Sequence, residues 1–295
     1  MDSNKYFLSS AEPSLDQSKL DSIVRHALCE DIGKGDITTQ LTIPQDKQIK
    51  AILIAKEDCV ICGMAVIQRV FTTVDKNIIF TPQVKEGHQV KKGKKIALIE
   101  GKAHSILSAE RVGLNLLSML SGIATKTREY VEKVKPYKVK ITDTRKTMPG
   151  LRELQKYAVR IGGGFNHRMA LDEMILIKDN HIQIMDGYHQ FPKVPKGYKV
   201  EIEVQNMQEF NHALRFKPDV IMLDNMDIKD IKTAVEIRDN TRFDSHHPKT
   251  KLETSGGVNI KIVKKLAATG VDIISVGDLT HSFKTADISL DILPG

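Results

Sequence analysis

Residues 142–181, TDTRKTMPGLRELQKYAVRIGGGFNHRMALDEMILIKDNH, gather cationic and protonatable side chains where the backbone turns. Arg145 and Lys146 follow the short β-branched run 139–141, and Pro149-Gly150 breaks the chain behind them. Gly162-Gly163-Gly164 ends a helix-like stretch just before His167-Arg168, and a second strand-like run, 174–177, delivers Lys178. Five such groups at element ends make a receptor for a small molecule rich in negative charge. Arg152, Lys156 and Arg160 recur at helical spacing instead and are expected to form the solvated face of a helix.

A second chemistry lies farther along the chain. Ser255-Gly256-Gly257 precedes a helix expected from about Asn259, and Gly277-Asp278 follows the last strand-like run. Glycines let backbone N–H groups approach phosphate oxygens, and a helix N-terminus adds a favourable dipole. Glu203 and Asp224 close two neighbouring strand-like runs. Either they are salt-bridge partners of Lys146 or Lys178, or they hold Mg²⁺ through hard oxygen ligands beside a phosphate. Glu201 is expected on the opposite side of its strand from Glu203, which leaves one of the two facing the site.

The elements that must position these groups alternate after Pro136. Runs 138–141, 174–177, 199–204, 220–223, 251–253 and 273–276 are strand-like, and 151–161, 207–216, 228–238 and 259–268 are helix-like. Parallel strands with crossover helices follow, and six of them suggest an open, incomplete (β/α) TIM-like barrel. In a barrel the C-terminal strand ends converge on one face, and Arg145, Lys146, Lys178, Glu203, Asp224, the SGG run and Gly277 all sit at such ends.

The preceding half reads differently. Residues 18–28 carry Leu20, Ile23, Val24, Ala27 and Leu28 on a helical period, and EDIGKGDITT then reads as a turn formed by Asp31, Asp36 and glycines. Residues 50–107 hold short β runs spaced by glycine, with 63–74 helix-like between them. They resemble the strands of biotin and lipoyl carriers but lack the carrier lysine, so a structural use is expected. A long helical stretch, 105–134, carries Arg111 near its start and is expected to join two domains: an α/β sandwich over 1–115 and the barrel over 116–295, with the last residues free to return to the first.

The net charge of +7 admits nucleic acid, a membrane surface or acidic metabolites as partners. Aromatics are only 5% and Trp is absent, which disfavours nucleic-acid stacking and leaves small anions. Cys59 and Cys62 form a lone CxxC without the second pair a zinc site needs, so small buried cysteines are expected. Cys29 makes the count odd, the first residues MDSNKYFLSS lack a signal-peptide apolar core, and no apolar run approaches about 20 residues. A cytoplasmic protein without a membrane span is expected.

The runs DTRKTMPGLR, KYAVRIGGGFNHR, IKDNH, EIEV, IMLDN, LETSGGV and VGDLTHS, in this order, closely resemble the motifs of the quinolinate phosphoribosyltransferases. EDIGKGDITT and SAERVGLNLL extend the resemblance into the N-terminal half. It implies a type II phosphoribosyltransferase of NAD biosynthesis, with an N-terminal α/β sandwich and an open α/β barrel. Such an enzyme converts quinolinate and phosphoribosyl pyrophosphate to nicotinate mononucleotide, pyrophosphate and CO₂. The resemblance gives quinolinate to Arg145, His167, Arg168 and Lys178, with Arg111 donated by a neighbouring subunit of a homodimer or larger homo-oligomer. It gives phosphoribosyl pyrophosphate and Mg²⁺ to Lys146, Glu203, Asp224, Ser255, Gly256, Gly257, Gly277 and His281. Lys146, Glu203 and Asp224 would be catalytic, and Glu203 and Asp224 the metal ligands. Met148 and Met169 replace an expected Thr and Gly, and 239–251, with His246-His247, is longer than usual.

Overall fold

The computed structural model describes residues 13–185, 194–243 and 248–294, so His246 and His247 lie outside the described residues. Two compact units divide the chain: one takes Glu12–Arg128, Met148–Gly163 and Phe283–Gly295, the other takes Glu129–Thr147 and Gly164–Ser282.

The first unit opens with α1 (Gln17–Ile32), whose spaced apolar residues bury Leu20, Val24 and Leu28. Asp16 caps it, accepting the Ser18 and Lys19 N–H groups at 2.9 and 3.1 Å. Asp36 does the same for α2 (Ile37–Thr42), accepting the Thr39 N–H at 2.9 Å. The segment read as one turn thus holds the end of one helix and the start of another. Strands β1 (Gln48–Ala55) and β2 (Cys59–Val60) lead to α3 (Met64–Val74), then β3 (Ile79–Pro82), β4 (Gln89–Val90) and β5 (Lys95–Lys102). The Glu86 carboxylate starts α3 by accepting the N–H groups of Gly63 and Met64 at 2.6 and 3.0 Å. Cys59 and Cys62 are buried as expected, and burial pushes the Cys59 thiol up to about 11. The long helix α4 (Ala103–Val134) follows.

The second unit begins with β6 (Lys140–Thr142); α5 (Arg152–Ile161) belongs to the first. Lys156 corrects the solvated-face expectation for α5: it is 1% exposed, because this helix packs away Leu154, Gln155, Lys156, Ala158 and Val159 together. The alternation then runs β7 (Ile175–Ile177), α6 (Asp179–Ile184), β8 (Val200–Val204), α7 (Met207–Arg215), β9 (Val220–Asp224), α8 (Ile228–Asn240), β10 (Lys251–Ser255), α9 (Val263–Ala267), β11 (Ile273–Ser275) and α10 (Asp278–His281). All six strands pair in parallel, in the order β6-β11-β10-β9-β8-β7. The edge strands β6 and β7 do not pair with each other, so the barrel is open, as expected. Strand β12 (Ile288–Ile292) returns to the first unit and pairs antiparallel with β1, completing a sheet of order β12-β1-β5-β3.

Strand periodicity stacks the barrel interior in layers. Phe165, Met174, Val220 and Ile273 form an apolar floor. Toward the C-terminal strand ends the side chains turn polar: Glu201, Glu253, Ser275 and Thr142 are buried there, and Glu203, Asp224 and Ser255 stand at the mouth.

Candidate active site

The strand ends of the second unit surround a cavity of about 740 Å³. Arg145 and Lys146 reach it after β6, His167 and Arg168 from the connection to β7, Lys178 after β7, Glu203 from β8 and Asp224 from β9. Ser255, Gly256 and Gly257 close β10, Gly277 follows β11, and His281 lies in α10. Arg111 is an exposed residue of α4 in the other unit and is not among the lining residues. A groove of about 830 Å³ between α1 and α3 is larger, but its Arg69 guanidinium is already paired with Asp21. The barrel mouth is where cations face one another.

Arg168 is 5% exposed, and burial together with the nearby Arg145 charge holds its pKa below the usual arginine value. One Arg168 nitrogen, Nη1, donates to the Met174 carbonyl at 2.9 Å. Arg145 Nε is buried without a hydrogen-bond partner among the described residues. Two adjacent guanidiniums, one with an unanswered donor, are a receptor for carboxylate oxygens. Lys178 Nζ donates to Glu203 Oε2 at 2.9 Å, an ion pair at the mouth. Asp224 Oδ2 accepts from Asn225 Nδ2 at 3.0 Å and is partly exposed.

The glycine loop lies opposite. Gly256 and Gly257 adopt φ of +86° and +59°, a left-handed backbone that glycine enters without a Cβ penalty. A Cβ on Gly256 would also run into the Asn225 side chain, whose own φ is +53°. A Cβ on Gly277 would come within 2.9 Å of His281 Nε2. The helix expected from Asn259 starts only at Val263 and spans five residues, because turns occupy the intervening positions. An anion at this loop would meet the loop's own N–H groups, without the dipole of a helix starting at Asn259.

The expectation for Glu201 fails on strand geometry. Residues two apart point to the same face, so Glu201 lies below Glu203 in the interior, fully buried. Glu201 Oε2 is 3.0 Å from His167 Nε2, and Glu253 Oε2 is 3.7 Å from it. Ser275 Oγ donates to Glu253 Oε1 at 2.5 Å, and Thr142 and Ser275 share a hydrogen bond of 2.6 Å. Burial pushes both Glu201 and Glu253 up to about 8, and the Glu201 charge further raises Glu253. Both Glu201 carboxylate oxygens and Glu253 Oε2 are buried without a hydrogen-bond partner among the described residues. Glu253 and Ser275 escaped the sequence reading, although the spacing of Glu253 and Ser255 in LETSGG places both on one strand face.

Comparison with known proteins adds an independent line. Residues 36–121 match the family model for the quinolinate phosphoribosyl transferase N-terminal domain, and residues 123–291 match its C-terminal domain. The probable nicotinate-nucleotide pyrophosphorylase (carboxylating) of Bacillus subtilis (strain 168) is 39% identical over 279 residues, 93% of each chain. The mitochondrial quinolinate phosphoribosyltransferase (decarboxylating) 2b of Nicotiana tabacum is 40% identical over 306 residues, spanning 96% of this chain and 84% of the relative. The solved nicotinate-nucleotide pyrophosphorylase from Francisella tularensis superposes with a TM-score of 0.87 at 40% identity, covering 97% of this chain and all (100%) of that one.

Proposed function

Because the chain belongs to the quinolinate phosphoribosyltransferase family, whose members convert quinolinate and phosphoribosyl pyrophosphate to nicotinate mononucleotide, pyrophosphate and CO₂ in NAD biosynthesis, we propose that this reaction is carried out in the barrel-mouth cavity. The paired guanidiniums carry the assignment: Arg145 and Arg168 line the same cavity, and quinolinate carries carboxylates on adjacent ring carbons. Arg145, Arg168 and Lys178 would grip those carboxylates and His167 would complete that wall, presenting the ring nitrogen to the ribose C1.

Lys146, His281 and the N–H groups of Ser255, Gly256, Gly257 and Gly277 would hold the phosphates. As the C1–pyrophosphate bond breaks, Lys146 offsets charge on the leaving group and Glu203 stabilises the cationic C1. Glu203 and Asp224 fit Mg²⁺ as hard oxygen donors beside a phosphate loop, Asp224 being partly exposed. When bound, Mg²⁺ would neutralise charge on the pyrophosphate. Once the ring nitrogen is alkylated, the cationic ring accepts the electron pair left by CO₂ and a proton replaces it, so decarboxylation needs no covalent cofactor.

Family resemblance further supports a homodimer or larger homo-oligomer in which Arg111 of the partner subunit completes each site. The free cysteines Cys29, Cys59 and Cys62 fit a cytoplasmic enzyme, and no helix among the described residues is long and apolar enough to cross a membrane. Incubation with quinolinate, phosphoribosyl pyrophosphate and Mg²⁺ should release CO₂ and pyrophosphate in equal amounts. Absence of both products would sink the assignment.

A further inference from the structure

Asn225, the position after Asp224 at the end of β9, lines the cavity and is exposed, yet the transfer chemistry itself calls for no amide there. Its φ is +53°, and among the described residues Lys217 is the other non-glycine residue with a positive φ. A left-handed backbone is unfavourable for any side chain, least so for asparagine, and it persists where the surroundings demand it.

The surroundings here are the two parts of the phosphate side of the cavity. The Asn225 N–H donates to the Ser255 carbonyl at 2.9 Å, carrying the parallel pairing of β9 and β10 one step past the register of Asp224 against Ser255. Asn225 Nδ2 donates to Asp224 Oδ2 at 3.0 Å, and since an ionised carboxylate only accepts, the amide oxygen must turn the other way. That oxygen lies against Gly256, where an added Cβ would overlap Asn225 Oδ1 and Cγ. Asn259 closes the far end of the loop, donating through Nδ2 to the Gly257 carbonyl at 3.2 Å and accepting the Lys261 N–H at 3.0 Å.

We propose that Asn225 is a positioning residue that couples the Asp224 carboxylate to the Ser255–Gly257 loop, so that a pyrophosphate group with Mg²⁺ meets both in one fixed arrangement. This rests on the reading of the loop and Asp224 as the phosphate and metal side of the cavity. Asp224 is partly exposed at a strand end, and a partner that hydrogen-bonds a metal-ligating carboxylate fixes its orientation. Gly256 lacks the Cβ that would push the amide away, and its φ of +86° meets the left-handed turn at Asn225. One side chain thereby spans the gap between two neighbouring strand ends.

The test measures binding of inorganic pyrophosphate with Mg²⁺, and separately of quinolinate, by calorimetry on intact wild type, Asn225→Ala and Asn225→Gly. Alanine lacks the amide and resists the left-handed backbone, whereas glycine lacks the amide but keeps that backbone and its N–H to Ser255. Asn225→Ala should weaken pyrophosphate binding roughly 10-fold or more, with quinolinate affinity within about twofold of wild type. Asn225→Gly should recover part of that loss. In an Asp224→Ala background Asn225→Gly should cost less than in wild type, because the carboxylate it orients is gone. Wild type that binds no pyrophosphate, an alanine variant that binds it as wild type does, a glycine variant no better than the alanine one, equal losses for both ligands, or additive losses with Asp224→Ala would each overturn the proposal. A wild type that binds pyrophosphate but releases no CO₂ from quinolinate and phosphoribosyl pyrophosphate would overturn the reaction assignment alone, because binding is read without turnover.

Discussion

Lys178 Nζ sits 2.9 Å from Glu203 Oε2 across the neighbouring strands β7 and β8, so a cation of the proposed quinolinate wall and a carboxylate of the proposed metal pair neutralise each other. The lysine side chain is 44% exposed and the glutamate 7%, which makes the pair unequal. Truncating Lys178 strands a nearly buried carboxylate, whereas truncating both removes the problem. A double-mutant cycle with Lys178→Ala and Glu203→Ala, read by unfolding free energy, should give a coupling of roughly 1 to 3 kcal/mol, between exposed and buried pairs. Additive effects would show the contact to be idle in solution.

Arg145 offers its guanidinium fork to a planar partner, and Lys at this position keeps the charge but not the fork. Arg145→Lys should cost roughly 1.5 to 3 kcal/mol of transition-state binding, about 10- to 150-fold in kcat/KM for quinolinate. Affinity for phosphoribosyl pyrophosphate should stay nearly constant. Equal damage toward both substrates would assign Arg145 to the phosphates or to the fold.

The buried carboxyl pair gives stability a definite pH dependence. Glu253 is raised from 4.5 to about 8 by burial and by the Glu201 charge, so between those values the folded protein keeps a proton that the unfolded chain has released. Its contribution is therefore most favourable below pH 4.5 and declines as pH rises toward 8. Glu253→Gln has no proton to lose. Its thermal midpoint should gain on wild type between about pH 5 and about pH 8, and a constant difference would show that the carboxyl does not titrate in this window.

What could be read in the chain and what could not follow from the same rule. Strand ends must converge in a parallel α/β unit, so the alternation after Pro136 was enough to bring Lys178, Glu203, Asp224 and the SGG run to one cavity. The layer beneath was hidden by a parity error at Glu201 and by the ordinary look of Glu253, which sits in mid-strand and not at an end. Lys156 misled for a different reason: helical spacing of charges predicts a solvated face only when one side of the helix is covered, and α5 is covered on more than one. The left-handed turn at Gly256 lies against the Asn225 side chain, a tertiary contact that local pattern does not encode.

The proposal that Arg111 serves the partner subunit's site makes a prediction that needs two defective chains. Arg111→Ala and Asp224→Ala should each be nearly inactive alone. Random pairing at equal amounts makes about half of the dimers mixed, and each mixed dimer has one intact site if Arg111 acts across subunits, restoring about a quarter of all sites. Activity of co-expressed, differently tagged chains measures this. Mixed dimers without activity would place Arg111 within its own chain's machinery or outside catalysis.

The pairing of β6 with β11 and of β1 with β12 also sets the order in which the molecule can be made. Thr142 and Ser275 bond across 133 residues of chain, and Ala51 waits for Ile292. The loop-closure entropy for both is large, so neither sheet can close early and folding is slow for its size. During synthesis Arg145 and Lys146 leave the ribosome long before β11 exists to hold β6 in line. A nascent chain therefore carries Arg145 and Lys146 beside an unpaired β6 until β11 arrives.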